Sequence, residues 1–93
     1  MSVVDDLADK LAQDVIKAMD ALDQEDLAEH VANVLGASSP SSEEIFRAAV
    51  RIRLAERRAR KFLNDHVREA LEAKKAGKEA PKPIAPGSDN ENL

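Results

Sequence analysis

From Ser42 to Lys75 the chain runs without a single glycine or proline. Such a stretch lacks both residues that most readily end a helix or turn the backbone sharply. As a helix it would reach roughly 50 Å. Apolar residues recur along it as Ile45, Ala49, Ile52, Ala59, Leu63, Val67 and Ala70, the three-and-four spacing of one helical face. A second line, Phe46, Val50 and Leu54, lies roughly 100° or more away around the same helix. The spacing therefore predicts one long helix over 42–75, apolar on two sides in its first half and on one side beyond Ala55. Two apolar sides imply that the first half lies between two other helices.

Those helices are expected upstream. Ser2 and Asp5 have capping-box spacing, and Asp5 and Asp6 suit a helix N-terminus. Val4, Ala8, Leu11, Val15, Ala18 and Leu22 follow in alternating steps of four and three, widened by Leu7, Ile16 and Met19, which predicts a helix over 3–22. The phase then breaks, because Glu25, Asp26 and Glu29 stand where apolar residues would continue it. Leu27, Val31 and Val34 or Leu35 start a new stripe, predicting a helix over 24–35 with Asp23 as its N-cap and Gly36 as the left-handed residue past its end. No glycine or proline separates these two helices, so one bent helix is the alternative. Ala37–Ser42 reads as a turn, with Pro40 at a permitted helix start and Ser41 and Glu44 at capping-box spacing.

Strands have little support. Of 40 hydrophobic residues 16 are alanine, and there is no Trp or Tyr, so the aromatic and β-branched alternation of a sheet never develops. The fold class expected is all-α: two acidic N-terminal helices packed on one long basic C-terminal helix. Residues 1–76 would form a single helical domain. Residues 77–93 hold three prolines, two glycines and one internal large apolar residue, Ile84, and are expected to be a disordered tail. Their Pro83-Ile84-Ala85-Pro86 satisfies the short PxxP pattern of groove-binding ligands, which is weak by itself.

A chain of this length buries a modest share of its surface. It has no cysteine, which removes disulfides and thiolate metal sites and leaves oligomerisation as the usual remedy. Met1–Asp9 carries acid where a secretory signal carries base, and no apolar run approaches the ~18 residues of a membrane span. A cytoplasmic protein without membrane contact is the expectation.

The long helix also carries the charge. Residues 1–35 hold nine acids against Lys10 and Lys17, whereas residues 36–80 hold eleven bases against seven acids. Most of the base is Arg47, Arg51, Arg53, Arg57, Arg58, Arg60, Lys61 and Arg68. A solvated or protein-contacting face, partly neutralised by the acidic helices, is the reading preferred on overall charge. Nucleic-acid binding through Arg47, Arg51, Arg53, Arg57, Arg58 and Lys61 is the alternative. Residues 24–57 loosely resemble a helix-turn-helix, although the turn predicted from Gly36 to Ser41 is longer than the usual three or four residues.

Catalysis finds no constellation of nucleophile, acid and base. The glycines, Gly36, Gly77 and Gly87, make no phosphate loop. His30, four residues after Asp26, and His66, near Phe62 and Glu69, each supply at most two ligands, short of a zinc site. No cofactor, metal or small-molecule substrate is expected. Glu56 and His66 fall on the long apolar stripe, where polar residues fix the register of a paired helix and a histidine makes pairing depend on pH. The usual outcome for such residues is a wet seat at the edge of the stripe. Beyond Ala55 the stripe outruns what two shorter helices cover. Phe62, Leu63, Val67 and Leu71 are thus the expected contact for a protein partner or, in a homodimer, a second copy.

Overall fold

The computed structural model of the chain describes residues 2–79 and 81–84. Among them are three α-helices and no strand: α1 (Val3–Leu22), α2 (Leu27–Ser38) and α3 (Pro40–Lys75). The chain divides into two units, Met1–Glu56 and Arg57–Leu93.

The first unit has the core. Ala8, Ala12 and Val15 of α1, Ala32 of α2 and Phe46 and Val50 of α3 are buried together, with Leu11, Met19, Leu35 and Leu54 among the half-buried residues packed against them. Alanine at three of these six positions lets helix axes approach closely, and one large ring fills the space between them. That ring is Phe46, with no exposed surface. The expectation that both apolar lines of the long helix are buried in its first half needs correction. Phe46 and Val50 are buried, Ile45 and Ala49 are half-buried, and Ile52 is 66 % exposed. Burying the larger ring removes more apolar area from water, and the Phe46 line accordingly takes the core.

The breaks between helices also differ from expectation. Ser2 caps α1 as predicted, its hydroxyl accepting from Asp5 N–H at 3.0 Å. Asp23, however, ends α1 instead of starting α2. It adopts φ 54° and ψ 45°, and the next amide, of Gln24, donates to the Met19 carbonyl at 3.1 Å. This is the left-handed closure usually made by glycine, which Asp tolerates better than most residues. The first two helices are therefore separate, and α2 starts at Leu27 with Asp26 as its N-cap, later than predicted.

At its other end α2 passes through Gly36 to Ser38, so Gly36 is not a cap. A methyl group there would displace the Glu43 carboxylate, which can swing aside, and lie 3.3 Å from Glu43 Cβ, so Gly36 marks a close approach of the two helices and not a turn. Ser39 alone separates α2 from α3. Its amide donates to Leu35 O at 2.9 Å, its carbonyl accepts from Glu43 N–H at 3.0 Å, and its hydroxyl accepts from Ser42 N–H at 3.3 Å. Ser39, not Ser41, is thus the N-cap, and Pro40 takes the first helical position, where its missing N–H costs nothing. The turn is one residue long. The length objection to a helix-turn-helix falls away, but this link is shorter than that motif's turn.

The second unit contains α3 from Arg57 to Lys75. Gly77, at φ 75°, closes the helix, with Lys78 N–H donating to Ala73 O at 2.8 Å in the pattern of a glycine C-cap. Lys78, Glu79 and Pro81–Ile84 are exposed and have no regular structure. The tail predicted from residue 77 otherwise falls on residues 80 and 85–93, outside the described residues, as does half of the Pro83–Pro86 pattern. Among the described residues no helix is long and apolar enough to cross a membrane.

Candidate contact surface

The charged face separates into residues with local employment and residues without. Arg47 forks onto Glu29 of α2, with Nη1 to Oε2 at 2.6 Å and Nη2 to Oε1 at 3.1 Å, while its Nε reaches Glu43 at 2.8 Å and Nη2 reaches Asn33 at 3.3 Å. Arg53 forks onto Asp9 of α1, at 2.5 and 2.6 Å. Two-pronged guanidinium–carboxylate pairing holds the planes in register. The Arg53 hydrogen bonds hold the Asp9 carboxyl below its usual range, and Arg47 does the same to Glu29. Both guanidiniums titrate higher in return. Two of the arginines considered for nucleic acid therefore tie α3 to the acidic helices.

Lys61 donates to Asp65 at 2.7 Å and Arg68 to the same carboxylate at 3.3 Å, an i, i+4 and i, i+3 pattern that supports the helix itself. The Lys61 bond lowers the Asp65 pKa. Arg57 and Arg60 are exposed and engaged within the chain. Arg51 and Arg58 are exposed and make no ion pair among the described residues.

The predicted apolar contact residues occupy two positions around α3. Leu63, Val67 and Leu71, spaced by four, are 49 %, 44 % and 55 % exposed. Phe62 is half-buried and stacks on His66 with ring centroids 6.3 Å apart and planes 8° from parallel. With Asp65, Glu69, Pro81, Lys82 and Ile84 these two rings line an open depression. Phe62 and His66 thus face the chain that follows α3, whereas the three-residue row stands open. Glu56 is exposed and has interactions within the chain; His66 is half-buried in the ring pair.

A second apolar surface, in the first unit, was not anticipated. Val4, Leu7, Ala8, Leu11, Leu35 and Ser42 line an open depression of about 160 Å³, and Leu7 is 66 % exposed. The periodicity placed Val4, Leu7 and Leu11 on the buried side of α1; Leu11 is half-buried against the core, whereas Val4 and Leu7 stay exposed. His30 meets Asp26 at 3.2 Å, as their spacing implies. Among the described residues no three His, Asp or Glu side chains converge as a metal site would need. Compared with protein-family models, curated proteins and solved structures, the chain matches none.

Proposed function

We propose that the chain is a non-catalytic interaction module that contacts another protein molecule through the second half of α3, acting in the cytoplasm. The observation that carries this reading is the row Leu63, Val67 and Leu71, about half exposed at three successive turns of one helix. Single exposed leucines are ordinary on protein surfaces, but a contiguous row is a feature of contact faces. The surroundings suit an acidic partner: residues 57–79 hold eight bases and four acids, which would speed and orient association.

The test uses full-length tagged chain in lysate of its own source, compared with a Leu63→Asp, Val67→Asp double variant of equal helicity. The expected result is a stoichiometric protein, either a second copy or another chain, retained by the wild type and lost by the variant. Equal recovery by both disposes of the reading.

Nucleic-acid binding keeps one support, the excess of base over residues 57–79 with Arg51 and Arg58 unpaired among the described residues. The engagement of Arg47, Arg53 and Lys61 with carboxylates weighs against it. A mobility-shift titration on random DNA and RNA at low salt decides: phosphate-tracking residues give salt-sensitive binding, and its absence ends this branch.

A further inference from the structure

Among the described residues, the Val4–Leu7–Leu11–Leu35 depression and the Leu63–Val67–Leu71 row lie in regions of opposite charge. The Val4–Leu7–Leu11–Leu35 depression belongs to residues 1–56, which hold twelve acids against five bases, a net of −7. Asp5 and Asp6 lie in the first turn of α1 beside it and make no ion pair among the described residues. The Leu63–Val67–Leu71 row belongs to residues 57–79, which hold eight bases against four acids, a net of +4. Arg60 and Lys74 stand three residues outside the two ends of that row, on the same helical face.

From this pairing we infer that the occupant of the row is a second copy of the chain, seated with its Val4–Leu7–Leu11–Leu35 depression against it. The inference rests on the reading of α3 as a contact surface and adds the identity of what it contacts. Charge selects the arrangement. Two copies at −4 each repel as whole molecules, and row against row would set +4 against +4. Depression against depression would set −7 against −7. The crossed arrangement alone brings opposite signs together while both apolar surfaces leave water. A twofold axis repeats the crossed contact, row of each copy on depression of the other, and the pair closes without exposed ends. The same logic accounts for a chain whose buried core holds one large ring, since small domains commonly complete their apolar burial by association.

The arrangement is tested by complementation. Leu7→Asp places an acid in the depression and Val67→Asp places one in the row; both residues are exposed, and circular dichroism checks that helicity is unchanged. By sedimentation velocity the full-length wild type is expected to be a dimer and each variant alone a monomer. Mixed in equal amounts, the variants are expected to form a mixed dimer, because one contributes an intact row and the other an intact depression. With one contact of two, that dimer should be at least tenfold weaker than the wild type. Added salt should weaken the wild-type pair, as attraction between exposed charges is screened. A Leu7→Asp variant that dimerises like wild type overturns the crossed seating while leaving the row as a contact surface. A wild type that stays monomeric overturns the second copy as occupant, and the lysate comparison above then decides the broader reading. Failure of the mixed variants to pair, assemblies growing past two copies, or indifference to salt each count against the closed crossed pair.

Discussion

The two halves of α3 use the same kinds of residue to opposite ends. Before Glu56 the line of Phe46, Val50 and Leu54 packs with alanines of α1 and α2, and Phe46 and Val50 are buried, although Ile52 on the other line stays exposed. After Arg57 the apolar row is equally regular, yet Leu63, Val67 and Leu71 stay about half exposed. Helix formation in the first half is supported by tertiary packing. In the second it draws on propensity, on the Lys61–Asp65–Arg68 network and on the Phe62–His66 stack, each a small local contribution. Regular spacing thus reports that a helix has an apolar face, and the presence of a neighbour decides whether that face is core or stays exposed.

The sharpest way to break this contrast is to truncate one residue on each side of it. Phe46→Ala removes the one large, wholly buried ring among the described residues and should cost about 3–5 kcal/mol. In so small a core that is enough to abolish the cooperative thermal transition seen by circular dichroism. A variant melting within a few degrees of wild type would mean that the first unit is not held by this core.

Asp23→Gly should act in the opposite direction. Relieving the left-handed strain at φ 54° is expected to stabilise the first unit by about 1 kcal/mol, read as a higher melting temperature. A lower one would show that the carboxylate has a role outweighing its backbone strain.

Acid should have a smaller effect, confined to the ion-paired groups. Asp9 and Glu29 titrate below their ordinary values of 3.8 and 4.5 when folded. Their pairs therefore contribute fully above those values, and the contribution is lost as pH falls through the lower folded ones. Melting temperature should be flat from neutrality to about pH 5 and decline below it, with a shallower decline in Arg53→Gln. Equal slopes in variant and wild type would remove Asp9–Arg53 from the account.

Leu71→Ala, measured where the protein is dilute and monomeric, should shift stability by no more than about 0.5 kcal/mol. A loss comparable to that of Phe46→Ala would erase the distinction between the halves.

Much of the architecture was legible in the residues. The bounds of α1 follow from Ser2 and the run from Val4 to Leu22, and the end of α3 from the residues before Gly77. The links were harder to read. Four serines, Ser38, Ser39, Ser41 and Ser42, flank Pro40, and local rules do not choose among them as caps. Asp23 reads equally well at the start of a helix, and Gly36 lies inside α2 against a side chain seven residues away, Glu43. In the core, Ala12 and Ala32 are fully buried yet give little signal, because alanine sits comfortably on either face of a helix. The row Leu63, Val67 and Leu71 was readable as an apolar face from its spacing, and its exposure from how far α3 outlasts α1 and α2 in length. Arg53 choosing Asp9 across 44 residues depends on how α1 crosses α3, which no local pattern encodes.

The single-residue joint at Ser39 limits how this chain can vary in length. An extra residue there would part the two helix ends that Ser39 caps at once, through Leu35 O and Glu43 N–H, and displace Phe46 from its socket, so insertions at this point amount to redesign. The link from Asp23 to Asp26 is longer and exposed and should accept an added glycine or a short epitope more readily. Length polymorphism among natural variants, and successful sites for engineered insertions, should therefore cluster before α2 and avoid its far end.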